Sequence, residues 1–208
     1  MDLSDVRAVL LDMDGTLVDS DAAVERAWRA WSGEYGVPSD TTLTLAHGNP
    51  SERTARILLP GLDDDALLAA AQRQLDLQYD DLSDVRALPG AQEVVDVLHR
   101  WRLPWAVVTS ADQRLARARL DVARIVPPVL VTVEDVARGK PDPEGYLLAA
   151  RLLGVEPPRC LVVEDSEPGI AAGRSAGMRV ASLRGLPGDL VLRDLRDLAR
   201  LLAASGPT

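Results

Sequence analysis

The chain has 208 residues, of which 47% are hydrophobic and 26% charged, and its formal net charge is -9. That length builds one sizeable core with room for a small accessory domain, and the acidic balance argues against nucleic acid, which is bound through clustered Lys and Arg. No apolar stretch approaches the roughly 20 residues needed to span a membrane, and MDLSDVRA opens without the basic head and apolar run of a secretory leader, so no membrane partner and a cytoplasmic location are expected.

The first element is AVLL, Ala8 to Leu11, a continuous apolar run of the kind that forms a strand buried on both faces. From about residue 19 to residue 84 no convincing strand follows. DAAVERAWRAWSGEYG carries Val24, Trp28, Trp31 and Tyr35 on one helical face and stops at Gly36, Val37 and Pro38. SERTARILL and DDDALLAAAQRQLDLQYDDL also read as helices, and the tryptophans and leucines of this insert are expected to pack against one another. The chain resumes with a helix in LPGAQEVVDVLHRW, then the strand WAVVTS (Trp105 to Ser110) and a helix in DQRLARARLDVA from Asp112. VLVTVED (Val129 to Asp135) reads as a strand, and DPEGYLLAARLLG as a helix with Asp142 as N-cap, Pro143 at the first helical position and Gly154 as C-cap. The strand CLVVEDS (Cys160 to Ser166), a helix from Ser166 and the strand MRVASL (Met178 to Leu183) complete the pattern.

Strand–helix–strand alternation predicts an α/β fold with a doubly wound parallel sheet and right-handed crossovers. Residues 1–18 and 85–208 are expected to form this core, and residues 19–84 an inserted all-helical domain. The single cysteine, Cys160, opens a buried strand; it permits no internal disulfide and suits a reducing compartment.

Ligands of open parallel sheets bind outside the carboxyl ends of the strands. Here those ends carry Asp12 and Asp14, Thr109 and Ser110, and Glu164 and Asp165. Asp, Gly and Thr are also ordinary turn residues, so DMDGT alone reads equally as a strand end and a turn. Side chains two apart on a strand share a face, which would bring Asp12 and Asp14 together. Carboxylates that close repel, so one takes a proton or a cation sits between them. Asp165 adds a third, and an all-oxygen set without His or Cys points to Mg²⁺. Such an ion would give an acidic chain the positive field that an anionic substrate needs. Of 23 Lys and Arg residues only Lys140 is a lysine, in RGKPDP, where a compact ammonium suits a point-charge task better than a guanidinium.

LLDMDGTLVDS, VVTSA, GKPDP and VVEDSEPGIAAGRSAGM, in this order and spacing, resemble the four motifs of the haloacid dehalogenase-like hydrolase superfamily across essentially the whole chain. The insert looks like that family's α-helical cap, as in its sugar and polyol phosphate phosphatases and β-phosphoglucomutase relatives. The resemblance implies that Asp12 is a nucleophile forming an aspartyl-phosphate, and that Asp14 is general acid and then base. It implies Mg²⁺ ligation by Asp12, Asp165 and the backbone carbonyl of Asp14. Thr109 would hold a phosphoryl oxygen, and Lys140 would neutralise charge on Asp12 and the transferring group. Glu164 is expected behind Asp165, out of direct contact with the metal, and Ser166 as a helix cap. Ser110 reads equally as a helix cap or a substrate contact. His47, Gly48 and Asn49 read equally as a solvated turn or a cap loop touching substrate hydroxyls, Arg53 as a surface helix residue or, alternatively, a partner for an anionic group, and His99 as a surface residue.

The expected function is therefore Mg²⁺-dependent hydrolysis of a small phosphorylated sugar or polyol by a monomer. A phosphomutase would use the same core residues. A dehalogenase needs neither metal nor Asp14, and a receiver-type signalling module would not carry its phosphorylated Asp on the first strand.

Overall fold

The computed structural model describes residues 3–46, 51–79 and 81–205. His47, Gly48 and Asn49, the expected substrate loop, lie outside the described residues. In chain order the elements are β1 (Ala8–Leu11), β2 (Val18–Asp19), α1 (Asp21–Tyr35), α2 (Ser39–Ala46), α3 (Ser51–Leu58) and α4 (Asp64–Tyr79). There follow β3 (Arg86–Ala87), α5 (Ala91–Arg100), β4 (Trp105–Val108), α6 (Gln113–Ala123), β5 (Leu130–Val131) and α7 (Glu144–Leu153). The chain closes with β6 (Cys160–Glu164), α8 (Glu167–Ser175), β7 (Arg179–Ser182), β8 (Leu190–Val191) and α9 (Leu195–Ala204).

Six strands form one sheet in the order β5-β4-β1-β6-β7-β8, and every pair is parallel. All four residues of β1 and all five of β6 are buried, as their unbroken apolar runs require of strands covered on both faces. Leu10, Val162 and Val180 of the sheet share one core cluster with Tyr146, Ala149 and Ala150 of α7 and with Ile170 and Ala172 of α8. Each large apolar side chain buried there contributes about 1.5–3 kcal/mol. Cys160 is fully buried in the same cluster, and burial, with Glu156 nearby, pushes its thiol up to about 11, so it stays an un-ionised packing group.

The chain divides into two compact units, Met1–Asp19 with Arg86–Thr208, and Ser20–Val85. In the second, Trp28, Trp31, Ala55, Leu67 and Ala70 form the core, and Val24 and Tyr35 pack against it. Trp31 is fully buried and its indole N–H donates to Ala70 O at 2.8 Å, the partner a buried indole needs. The aromatic face of α1 is thus packing, and Gly36 ends that helix at φ 66°.

Several boundaries differ from the sequence reading. Val129 to Asp135 yields only the two residues of β5, because Thr132 and Asp135 close a reciprocal capping box and the chain turns into a 3₁₀ helix, Val133–Asp135. Helix α7 starts at Glu144, with Asp142 Oδ1 accepting from the Glu144 N–H at 3.0 Å. Helix α6 is capped by Asp112, whose carboxylate accepts from Leu115 N at 2.8 Å, so Ser110 is not the cap. Ser166 does cap α8, accepting from Gly169 N at 3.2 Å.

Candidate active site

Strand β1 lies between β4 and β6, so the order of the sheet reverses there. The loops leaving these three strands consequently share one rim. Asp12 follows β1 with its N–H on Val163 O at 3.0 Å, and Thr109 follows β4 with its N–H on Val131 O at 2.9 Å. Glu164 ends β6 and Asp165 comes next.

Lys140 enters from the loop before α7. Glu144 clasps that loop, accepting from the N–H groups of Ala137 and Arg138, each at 3.0 Å. The Lys140 ammonium then donates to Asp12 Oδ1 at 2.5 Å, to Glu164 Oε1 at 2.6 Å and to Val108 O at 3.0 Å, which uses all three of its protons. It also lies 5.2 Å from the centre of the Tyr146 ring. Burial works against this ammonium, but the carboxylates of Asp12 and Glu164 outweigh it and raise its pKa above the ordinary lysine value. Lys140 is therefore charged throughout the working pH range.

Glu164 is fully buried and engaged at both oxygens. Oε1 accepts from Lys140 and from the Tyr146 hydroxyl at 2.7 Å, while Oε2 accepts from the N–H groups of Asp165 and Ser166 and from the Ser166 hydroxyl at 2.9 Å. Burial first, then the Glu164 charge, pushes the Tyr146 phenol up, so it remains a donor. Gly169 is required beneath Glu164, since a Cβ there would lie 1.8 Å from Glu164 Oε1.

Asp12, Glu164 and Asp165 each offer a carboxylate oxygen, and these lie within 4.8 Å of one another. Asp12 Oδ2 is buried and has no hydrogen-bond partner among the described residues, a state that costs about 1–3 kcal/mol or more for a charged group. Burial, helped by Glu164 and Asp165 and opposed by Lys140, pushes the Asp12 carboxyl well above the usual carboxylate range. An orphaned carboxylate oxygen beside an excess of negative charge fits a hard divalent cation, and Asp165 offers a second carboxylate beside it. Asp165 Oδ2 also accepts from Arg184 Nε at 2.9 Å.

Asp165 comes so close to the turn after β1 that a Cβ on Gly15 would lie 2.0 Å from its Oδ2, and Gly15 has φ +78°. Gly15→Ala is expected to lose at least about 1–2 kcal/mol from the left-handed backbone alone. It should also displace Asp165 and cut activity; thermal unfolding and turnover measured on the same preparation check both effects.

Asp14 lies past the end of β1, where strand alternation no longer governs direction. Its Oδ2 is 2.8 Å from Arg119 Nη1, and among the described residues it is Glu164 that completes the carboxylate group with Asp12 and Asp165. Thr109 is buried and its hydroxyl accepts from Ala111 N at 3.1 Å. The exposed Ser110 lines, with Thr109, Lys140 and Tyr146, a cavity of about 20 Å³, room for a single water.

The haloacid dehalogenase-like hydrolase profile matches residues 6–177. The chain belongs to that family. The hydrolase is 39% identical over 178 residues to hexitol phosphatase A of Escherichia coli strain K12, covering 85% of this chain and 82% of that one. It is 34% identical over 185 residues to the fructose-1-phosphate phosphatase YqaB of the same organism, covering 85% and 95%. The crystal structure of CbbY from Rhodobacter sphaeroides in complex with phosphate superposes with a TM-score of 0.75 at 25% identity, over 93% of this hydrolase and 96% of that chain.

Three residues of the hydrolase site escaped the sequence reading. Tyr146 sits at the inner face of α7 with Ala149 and Ala150, and a tyrosine there signals a buried partner for its hydroxyl. Arg119 shares the inner stripe of α6 with Leu115 and Ala123, four residues away on either side, so helical spacing alone could have marked it. Arg184 has φ 55° in the loop after β7, and nothing in the sequence distinguishes it from other surface arginines.

Proposed function

We propose that this phosphoric monoester hydrolase acts on small phosphorylated sugars or polyols, using Mg²⁺ and an aspartyl-phosphate on Asp12. The observation that carries the chemistry is the divided state of Asp12, with one oxygen held by Lys140 and the other buried and without a partner among the described residues. Mg²⁺ would be held by Asp12, Asp165 and the Asp14 backbone carbonyl, and when bound it supplies positive charge against the phosphoryl oxygens. At an effective dielectric of about 20 each close unit-charge pair is worth roughly 4 kcal/mol, enough to offset an acidic site that would otherwise repel a phosphate.

In the first half-reaction an Asp12 oxygen attacks phosphorus as the ester P–O bond breaks, and Asp14 gives its proton to the leaving oxygen. In the second, water attacks phosphorus, the Asp12–phosphorus bond breaks, and the water proton passes to Asp14. Thr109, whose hydroxyl oxygen already accepts from Ala111 N, turns its proton toward a phosphoryl oxygen. Lys140 holds Asp12 and balances charge on the group in transfer. Similarity to the hexitol and fructose-1-phosphate phosphatases supports the substrate class. The helical unit is assigned as the cap that the family resemblance implies.

A screen of hexitol, hexose and pentose phosphates, read as free phosphate, tests this reading. Release is expected with Mg²⁺ and is expected to stop in excess EDTA. Full activity in EDTA would remove the metal, and conversion of glucose 1-phosphate to 6-phosphate without phosphate release would make the enzyme a mutase.

A further inference from the structure

Arg119 occupies a place on α6 where its neighbours are apolar. The inward stripe of that helix is Leu115, Ala116, Arg119, Leu120 and Ala123. The Arg119 side chain is 2% exposed, while its partner Asp14 is 30% exposed. A guanidinium buried this deeply costs several kcal/mol before pairing, and an apolar side chain of similar volume would hold the helix at least as well. Asp14, by contrast, stands in the turn between β1 and β2, where Gly15 N donates to Val18 O at 2.7 Å, outside any named strand. The cation reaches it from a rigid, core-facing helix and meets one carboxylate oxygen at 2.8 Å.

We propose that Arg119 is a positioning residue for Asp14. It grips one oxygen from inside the fold and so sets the other at the ester oxygen and then at the hydrolytic water. This rests on the acid–base role assigned to Asp14 above. Arg119 exchanges no proton itself, because its guanidinium stays charged. Its contribution is to remove rotational freedom from a carboxylate that must deliver and later accept a proton at the same place.

Two esters separate positioning from mere support of the fold. A hexitol 6-phosphate leaves as an alkoxide and needs a proton in the first half-reaction, whereas 4-nitrophenyl phosphate leaves as a stable anion and does not. Both need Asp14 as base in the second. Arg119→Met is expected to lower kcat on the hexitol 6-phosphate about 100-fold with KM little changed. Its first-turnover release of 4-nitrophenolate should stay near the wild-type rate, giving a stoichiometric burst followed by slow turnover. Asp14→Asn should show the same split, the double variant Asp14→Asn with Arg119→Met should be no slower than Asp14→Asn alone, and Arg119→Lys should recover part of the loss.

Wild-type kcat in Arg119→Met, equal losses on both esters in the first turnover, or multiplying losses in the double variant would overturn the proposal. If Arg119→Met does not fold, Arg119→Lys carries the same comparison, since a shortened cation shifts Asp14 without unbalancing the charge. An Asp14→Asn variant at wild-type rates would instead remove the acid–base reading itself, a result distinct from a slow Asp14→Asn beside an unaffected Arg119→Met.

Discussion

Asp12→Asn is expected to abolish phosphate release, by about 10⁴-fold or more, with no loss of stability. The amide keeps the shape of the carboxylate, and its oxygen still accepts from Lys140, which sits 2.5 Å from Asp12 Oδ1. It cannot form the bond to phosphorus that the proposed mechanism requires. The stability half follows from burial. Burial, with Glu164 and Asp165 adding to it, raises the folded-state pKa of Asp12. A raised carboxyl contributes stability that is complete below the unfolded value of about 4 and is lost as pH rises through the folded value. At neutral pH and without metal, the buried Asp12 carboxyl therefore works against the fold, and the neutral amide removes that burden. Asp12→Asn should unfold at the same temperature as the wild type or higher at pH 7, with the difference shrinking toward about pH 4. Retained turnover would refute the nucleophile assignment, and a lower unfolding temperature at pH 7 would refute the charge argument.

What the sequence made legible, and what it hid, divide along physical lines. Ala8 to Leu11 and Cys160 to Glu164 were readable because strands buried on both faces carry unbroken apolar runs. The face of α1 was readable because Val24, Trp28, Trp31 and Tyr35 recur at helical spacing. Two-residue strands such as β2, β3 and β8 are too short for any periodicity to register. They exist because neighbouring segments already lie alongside, as Val18 does with Ala87. The strand read over Val129 to Asp135 failed because a local hydrogen-bonding pair, Thr132 with Asp135, overrode a β-branched run. In the site, Asp12, Thr109, Lys140 and Asp165 stand just past strand ends or in short loops, where polar residues show against apolar surroundings. Arg119 and Tyr146 lie within helices whose sequences read as packing; their helical spacing marks them as polar groups facing inward, and their partners across the fold show what they hold.

Lys140→Met is expected to destabilise the fold by about 3–5 kcal/mol and to stop turnover. Removing the ammonium leaves Glu164, which is fully buried, and Asp12, which is nearly so, as uncompensated charges. Lys140→Arg should rescue little of the activity. A single nitrogen now meets two carboxylates and a carbonyl at 2.5–3.0 Å, and a planar fork spreads its donors over several atoms that cannot occupy that point. The two consequences can be separated by also neutralising one of the stranded carboxylates. In Lys140→Met with Glu164→Gln the buried charge on Glu164 is gone, while Asp165 N, Ser166 N and the Ser166 hydroxyl still find an acceptor in the amide oxygen. Unfolding by urea should show a substantial part of the lost stability regained, and phosphate release should stay at background. Recovery of turnover in that double variant would mean that Lys140 serves only to hold Glu164 in the fold, because a purely structural cation becomes dispensable once its anion is removed, whereas a cation acting on Asp12 and the transferring phosphoryl group does not.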